Sequence, residues 1–230
     1  MSTIEAKFAA LQSEWLTVCH HVREDIAKWE FRFGELEEEE IKLRDEGRWT
    51  HGRDDYLGVL GRHRDELAHS RMIKWLLDPC ARHGLGTRFL AGVIQTAFGS
   101  SCDVSGLERA VTRCEVPLVD GRLDIVVEAP GLYLVIENKV DAAEAENQCA
   151  YYAEHLPPDA WCILLSPDGR LAKASLSTHE TDAEVTNEFQ PLQYAQLAAI
   201  LEEALVGTTS VTSGRSVAEH YLKTLKREFS

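Results

Sequence analysis

The chain begins with an apolar pattern of helical period. Ile4, Phe8, Leu11, Trp15, Val18, Val22, Ile26, Trp29, Phe33 and Leu36 follow one another at three- and four-residue steps, a heptad seam with one four-residue stutter. The spacing predicts one or two helices over residues 1–47, with Gly34 as a candidate break. Most amphipathic helices face their own core, so packing on the chain's own domain is the expected use of this stripe. The alternative is a seam for a homodimer or a partner protein.

After a polar, glycine-containing linker, "RWTHGRDDYL", the patterning changes. "RDELAHSRMIKWLLDP" reads as a helix stopped at Asp78-Pro79, and "TRFLAGVIQTAFG" as a second helix with Gly99 at its C-terminus. Three apolar runs of strand character follow, "AVTRCEVPL", "RLDIVVEA" and "LYLVIENKV". Then come a helix, "DAAEAENQCAYYAEHL", a short buried strand, "WCILLSP", a further strand, "EFQPLQY", and two closing helices, "AQLAAILEEAL" and "SVAEHYLKTLKREF". Residues 168–187 read as an exposed loop or hairpin. This order predicts an α/β fold with one mixed central sheet flanked by helices, and a right-handed crossover from Leu132 to Ser166. The expected organisation is an N-terminal helical extension, residues 1–47, and one domain, residues 48–230.

Composition narrows the class. Apolar residues make up 44% and charged residues 27% of the 230, as in soluble globular proteins. No apolar run approaches the roughly 20 residues of a membrane helix. The N-terminus lacks the basic region of a signal peptide. None of the six cysteines stands in a C-x-x-C pair, and a reducing, cytoplasmic setting is expected. The net charge of −14 argues against a non-specific nucleic-acid coat protein. Residues 48–113, however, hold ten Lys and Arg against seven Asp and Glu, a local excess of three. An anionic partner is expected to meet that segment.

The strands carry charges where a buried strand should not. Asp124 lies in "RLDIVVEA", and Glu137 and Lys139 end "LYLVIENKV". Alternate strand residues share a face, so Glu137 and Lys139 emerge side by side. Pairing through the Pro130-Gly131 turn brings Asp124 near both. Two neighbouring carboxylates repel unless a cation joins them, and hard oxygen donors suit Mg²⁺ or Mn²⁺. Asp124 and Glu137, with the Asn138 backbone carbonyl, form the expected metal set. Lys139 is expected to orient a water or to stabilise charge on a phosphate. Arg122 is expected either to meet phosphate or to neutralise a carboxylate.

This arrangement resembles the PD-(D/E)XK nuclease superfamily, whose core carries an Asp and then (D/E)-x-K on the next strand. Leu123 stands where the motif's proline would be. Of three E-x-K matches, "EAK", "EIK" and "ENK", only the last follows an apolar strand with an Asp thirteen positions earlier. Gln148 and Tyr152 in "QCAYY" match the Q-x-x-x-Y helix of RecB-like members, and the resemblance puts them near the substrate. "GRHRDELAHSRMIKWLLDPCARHGLGTRFL" resembles a bacterial branch with a Glu-x-x-His-Ser helix. By that likeness Glu66 joins the active site. His69 lacks a partner at zinc spacing, and it and Ser70 are assigned to substrate contacts, structural hydrogen bonds being the other use of the histidine.

The expectation is a metal-dependent nuclease acting on DNA in preference to RNA, with a defence role implied by the resemblance alone. A non-catalytic nucleic-acid-binding or scaffold module on the same fold, or a nuclease subunit silent until a partner engages residues 1–47, are the alternatives.

Overall fold

The N-terminal seam forms one unbroken helix in a computed structural model, α1 (Thr3–Asp45), and Gly34 does not interrupt it. Residues 3–48, 51–118, 121–141, 152, 155–169, 188–209 and 212–229 are described. The chain divides into two compact units, Met1–Gly52 and Arg53–Ser230. In the first unit the seam side chains are exposed, from 51% at Val18, Val22 and Ile26 to 78% at Ile4. Within this unit the stripe is not covered by the unit's own described residues. No described helix is long and apolar enough to cross a membrane.

The second unit is built on a five-stranded mixed sheet in the order β1 (Val111–Leu118), β2 (Gly121–Ala129), β3 (Leu132–Asn138), β4 (Trp161–Ser166), β5 (Phe189–Gln193). The first three strands run antiparallel, β4 pairs in parallel with β3, and β5 in parallel with β4. Pro130-Gly131 closes the β2–β3 hairpin. Gly131 has φ +75°, the positive value that the second central position of a Pro-Gly turn needs. Pro191 sits on the edge strand β5, where a missing N–H is tolerated.

Helices α2 (Tyr56–Val59), α3 (Glu66–Leu77), α4 (Arg88–Phe98), α5 (Tyr194–Val206) and α6 (Arg215–Phe229) complete the described elements, with a short 3₁₀ turn at Leu107–Arg109. Ile125, Val127, Leu134, Ile136, Ile163 and Leu165 form the sheet side of the main core. They meet Ile73, Leu76 and Leu77 of α3, Phe89 and Val93 of α4, Leu201 of α5 and Tyr221 of α6. The other face, with Val126, Val135, Cys162 and Leu164, packs against Tyr152 and Leu156. The expected helix over residues 141–156 lies outside the described residues apart from Asp141, Tyr152, His155 and Leu156. The loop at 168–187 does so apart from Asp168 and Gly169.

α3 fixes the edge of the site. Its N-cap Asp65 accepts the Ala68 N–H at 2.8 Å, so the helix begins at Glu66. Its buried positions, His69, Ser70, Ile73, Leu76 and Leu77, form one stripe against the sheet. Asp55, a solvated loop charge by its sequence context, is instead buried at 1% exposure. It caps α2 and accepts from Thr224 of α6 at 2.6 Å. Burial opposes its charge, but bonds from Arg53, Thr224 and Gly58 outweigh that and hold its carboxyl down at about 2.

Candidate active site

The site lies at the open end of the β2–β3 hairpin. The last paired positions there are Ile125 and Ile136, so Asp124 and Glu137 are the next residues outward on the two strands. The Asp124 carboxylate accepts the Asn138 N–H at 2.8 Å. On the other side of β2 the ladder opens at the same level. Cys114 pairs with Ile125 and Val116 with Leu123, while Glu115, opposite Asp124, adopts φ +54°. A non-glycine residue in the left-handed region is strained. The kink also moves Leu123 to the sheet face opposite Ile125. It thus frees Asp124 from regular pairing.

Glu137 is buried at 1% exposure, and the Lys139 ammonium sits 2.8 Å from its Oε1. Burial pushes the Glu137 carboxyl up to about 7, with the charges of Asp124 and Glu66 adding to it against Lys139. Burial also pushes Asp124 up to about 6, and Glu66 and Glu115 add to it against the Asn138 N–H and Lys139. Burial opposes the Lys139 charge as well, but the Glu137 carboxylate outweighs it and holds the lysine protonated above its usual range. Here two carboxylates demand more positive charge than one lysine supplies.

A stability prediction follows from the sign of these shifts. Both carboxyls bind protons more tightly in the folded state, at about 6 and about 7, than in the unfolded chain at about 4. The contribution of this pair to the stability of the metal-free protein is therefore fully present below about pH 4 and is lost as pH rises through about 6 and 7. Asp124→Asn removes one of the charges and can still accept the Asn138 N–H through its amide oxygen. In EDTA the variant should be more stable by about 1–3 kcal/mol at pH 8, the gain shrinking towards pH 4. Urea titrations at the two pH values check this. A gain that does not depend on pH, or equal Mn²⁺ affinity by calorimetry in variant and wild type, would remove Asp124 from the metal set.

Beneath the carboxylates lies a polar cluster centred on Asn138. This residue is fully buried and makes three side-chain bonds. Its amide N–H groups donate to the Glu66 carbonyl at 3.0 Å and to Ser70 Oγ at 2.9 Å, and its Oδ1 accepts from the Tyr194 hydroxyl. The Glu66 carboxylate accepts the Val140 N–H at 3.1 Å. α3 and the end of β3 are thereby clamped together by backbone and side chain. Glu66 is half-buried, and its charge reaches both Asp124 and Glu137. His69 is fully buried, its Nε2 2.9 Å from the His63 carbonyl and its Nδ1 2.9 Å from the Tyr221 hydroxyl. A carbonyl only accepts, so Nε2 carries the proton. Burial keeps the ring neutral, so Nδ1 accepts from Tyr221.

These placements correct three substrate-contact expectations. His69 and Ser70 are buried and their polar atoms are bonded within the protein, so they support the site from below. Tyr152 is 4% exposed, packs on the sheet face opposite α3, and donates its hydroxyl to the Arg122 carbonyl at 2.9 Å. It steadies β2 two residues before Asp124. Arg122 is exposed and pairs with Glu115 at 3.0 Å, the neutralising one of its two expected uses. Gln148 lies outside the described residues. Tyr194, Tyr221 and Glu115 had no sequence motif to mark them. Tyr194, read as the end of the last strand, instead begins α5 behind the N-cap Gln193.

Among the described residues no three His, Cys, Asp or Glu side chains stand together as a ready-made metal cage. Mg²⁺ is usually held by one or two carboxylates, with water and substrate phosphate completing its shell. Asp124 and Glu137, with their raised proton affinity, fit that demand for a hard cation.

The chain matches the PD-(D/E)XK nuclease superfamily over residues 54–223. That span takes in Glu66, Asp124, Glu137 and Lys139, and the chain belongs to this superfamily. No curated protein and no solved structure matches it.

Proposed function

We propose that this chain is a metal-dependent phosphodiesterase that cuts nucleic acid, DNA in preference to RNA. Nucleases of this superfamily generally use divalent metals such as Mg²⁺. The observation that carries the reading is the Asp124–Glu137 pair at an open strand end, Glu137 buried and Asp124 half-buried, with a protonated lysine 2.8 Å from Glu137. A merely structural role for this trio is disfavoured. Burying two carboxylates with raised proton affinity beside one ammonium destabilises a fold that needs nothing from them.

In this mechanism Asp124 and Glu137, with the Asn138 carbonyl, hold Mg²⁺ or Mn²⁺. The bound cation supplies Lewis acidity at the phosphate and lowers the pKa of water. Lys139 keeps its proton and presents its N–H groups to the attacking water or to a phosphate oxygen, where charge develops. Glu66 holds the Val140 N–H and keeps the strand end in place. The basic excess in residues 48–113 attracts the polyanion, and Arg122 is free to exchange Glu115 for phosphate. A role in defence against foreign DNA rests on the family likeness and is proposed only on that ground.

Incubation with circular DNA, linear DNA and RNA, each with Mg²⁺, Mn²⁺ or EDTA, tests the reading. Cleavage of DNA with metal, suppressed by EDTA, is expected, and substrate binding should weaken steeply as salt rises. Nucleic acid left intact under every metal condition would favour a binding module on the same fold.

A further inference from the structure

The exposed seam of α1 has a symmetry that a helix packing on an unrelated surface has no reason to carry. From Phe8 to Leu36 the steps between apolar positions are 3, 4, 3, 4, 4, 3, 4, 3, which reads the same in both directions about Val22. All nine of these side chains are at least half exposed. Two antiparallel copies centred on Val22 would match every layer from Phe8 to Leu36, leaving Ile4 beside Glu40 at the end. Phe8 meets Leu36 of the second copy, Leu11 meets Phe33, Trp15 meets Trp29, Val18 meets Ile26, and Val22 meets itself. The four-residue stutter, a defect in a simple heptad, is the centre of this palindrome.

The charges beside the seam select the antiparallel arrangement. Lys7, Glu14, His21, Asp25, Arg32 and Glu39 line one edge of the helix. In the register set by the apolar layers, Lys7 faces Glu39 of the other copy, Glu14 faces Arg32 and His21 faces Asp25, each pair occurring twice. The opposite edge places Gln12 against Glu30 and Cys19 against Arg23, and its like-charged contact, Glu5 against Glu37, falls at the outer end of the seam. A parallel pair would instead lay the acidic runs Glu35 and Glu37–Glu40 of the two copies side by side. Nine large apolar side chains from each helix bury roughly 1,500 Å² in total, the size of a stable specific interface.

We propose that α1 is a self-association element. Two copies of this chain pair through it as an antiparallel coiled coil with its two-fold axis at Val22. The inference does not depend on the nuclease reading.

Analytical ultracentrifugation of the full chain at micromolar concentration tests it. The wild type is expected to be a dimer, and a monomer there overturns the proposal. Val22→Glu, which puts two carboxylates at the axis, should weaken the dimer by about a hundredfold or more. A dimer untouched by this change would place the interface elsewhere and overturn it. Arg32→Glu should weaken the dimer by roughly tenfold, and adding Glu14→Lys should restore it. Restoration excludes a misfolded variant and identifies the antiparallel register. Failure of the second change to restore the dimer overturns that register. Unchanged circular dichroism in each variant keeps the reading tied to association.

Discussion

Lys139→Met should abolish metal-dependent cleavage while leaving the fold intact. The side chain is 14% exposed and its ammonium sits 2.8 Å from a Glu137 carboxylate that is itself buried. Methionine keeps the apolar stem and removes only the charge and its N–H donors. Removing a positioned donor from a water-poor site typically slows a reaction by about a hundred- to a thousandfold. The upper end of that range, a thousandfold loss, is about 4 kcal/mol of barrier. The fold should survive because Glu137, already pushed up to about 7, takes up a proton when its partner is lost. Lys139→Arg should not rescue, since a planar fork cannot reproduce the placement of a compact ammonium. Turnover within about tenfold of wild type would sink the catalytic role. A melting temperature that collapses would instead make Lys139 a structural counter-ion.

How far the site could be read from sequence depends on the range of the contacts. The pairing of Asp124 with Glu137 was legible because a Pro-Gly turn fixes the register of two adjacent strands, and a register of period two fixes which residues face each other. The third E-x-K stood out from the other two only through its apolar strand. The Asn138 cluster was not legible. Asn138 and Tyr194 are 56 positions apart, and His69 and Tyr221 are 152 apart. Only the completed topology brings α5 and α6 back to the end of β3. Tyr152 shows the limit of helical spacing. It told which residues would share a helix face but not that Tyr152 would lie on the sheet. The kink at Glu115 has no local signal either. Glutamate has no preference for positive φ, so the strain is imposed by its neighbours. For α1 the period was plain, but a period does not name the surface it packs against, and the stripe proved to be exposed.

Asn138→Leu should be among the most damaging single changes to stability in the second unit. Asn138 is fully buried, and its three side-chain bonds go to the Glu66 carbonyl, Ser70 Oγ and the Tyr194 hydroxyl. Leucine matches its volume, so packing is nearly kept and the polar loss dominates. Each buried group left without a partner costs about 1–3 kcal/mol, and three such groups together about 4 kcal/mol once some of them relax towards other acceptors. Tyr194→Phe removes one bond and leaves one acceptor, so it should cost about 1–2 kcal/mol. The two changes touch one network, and their double variant should be less destabilised than the sum. Cleavage should fall in Asn138→Leu more than in Tyr194→Phe. Glu137 and Lys139 flank Asn138 on the strand, and the Asn138 N–H holds the Asp124 carboxylate. Urea denaturation at pH 7 measures all three variants. A loss under about 1 kcal/mol for Asn138→Leu would mean that the cluster re-forms its bonds without the amide, and that the strand end is held by Glu66 and Val140 alone.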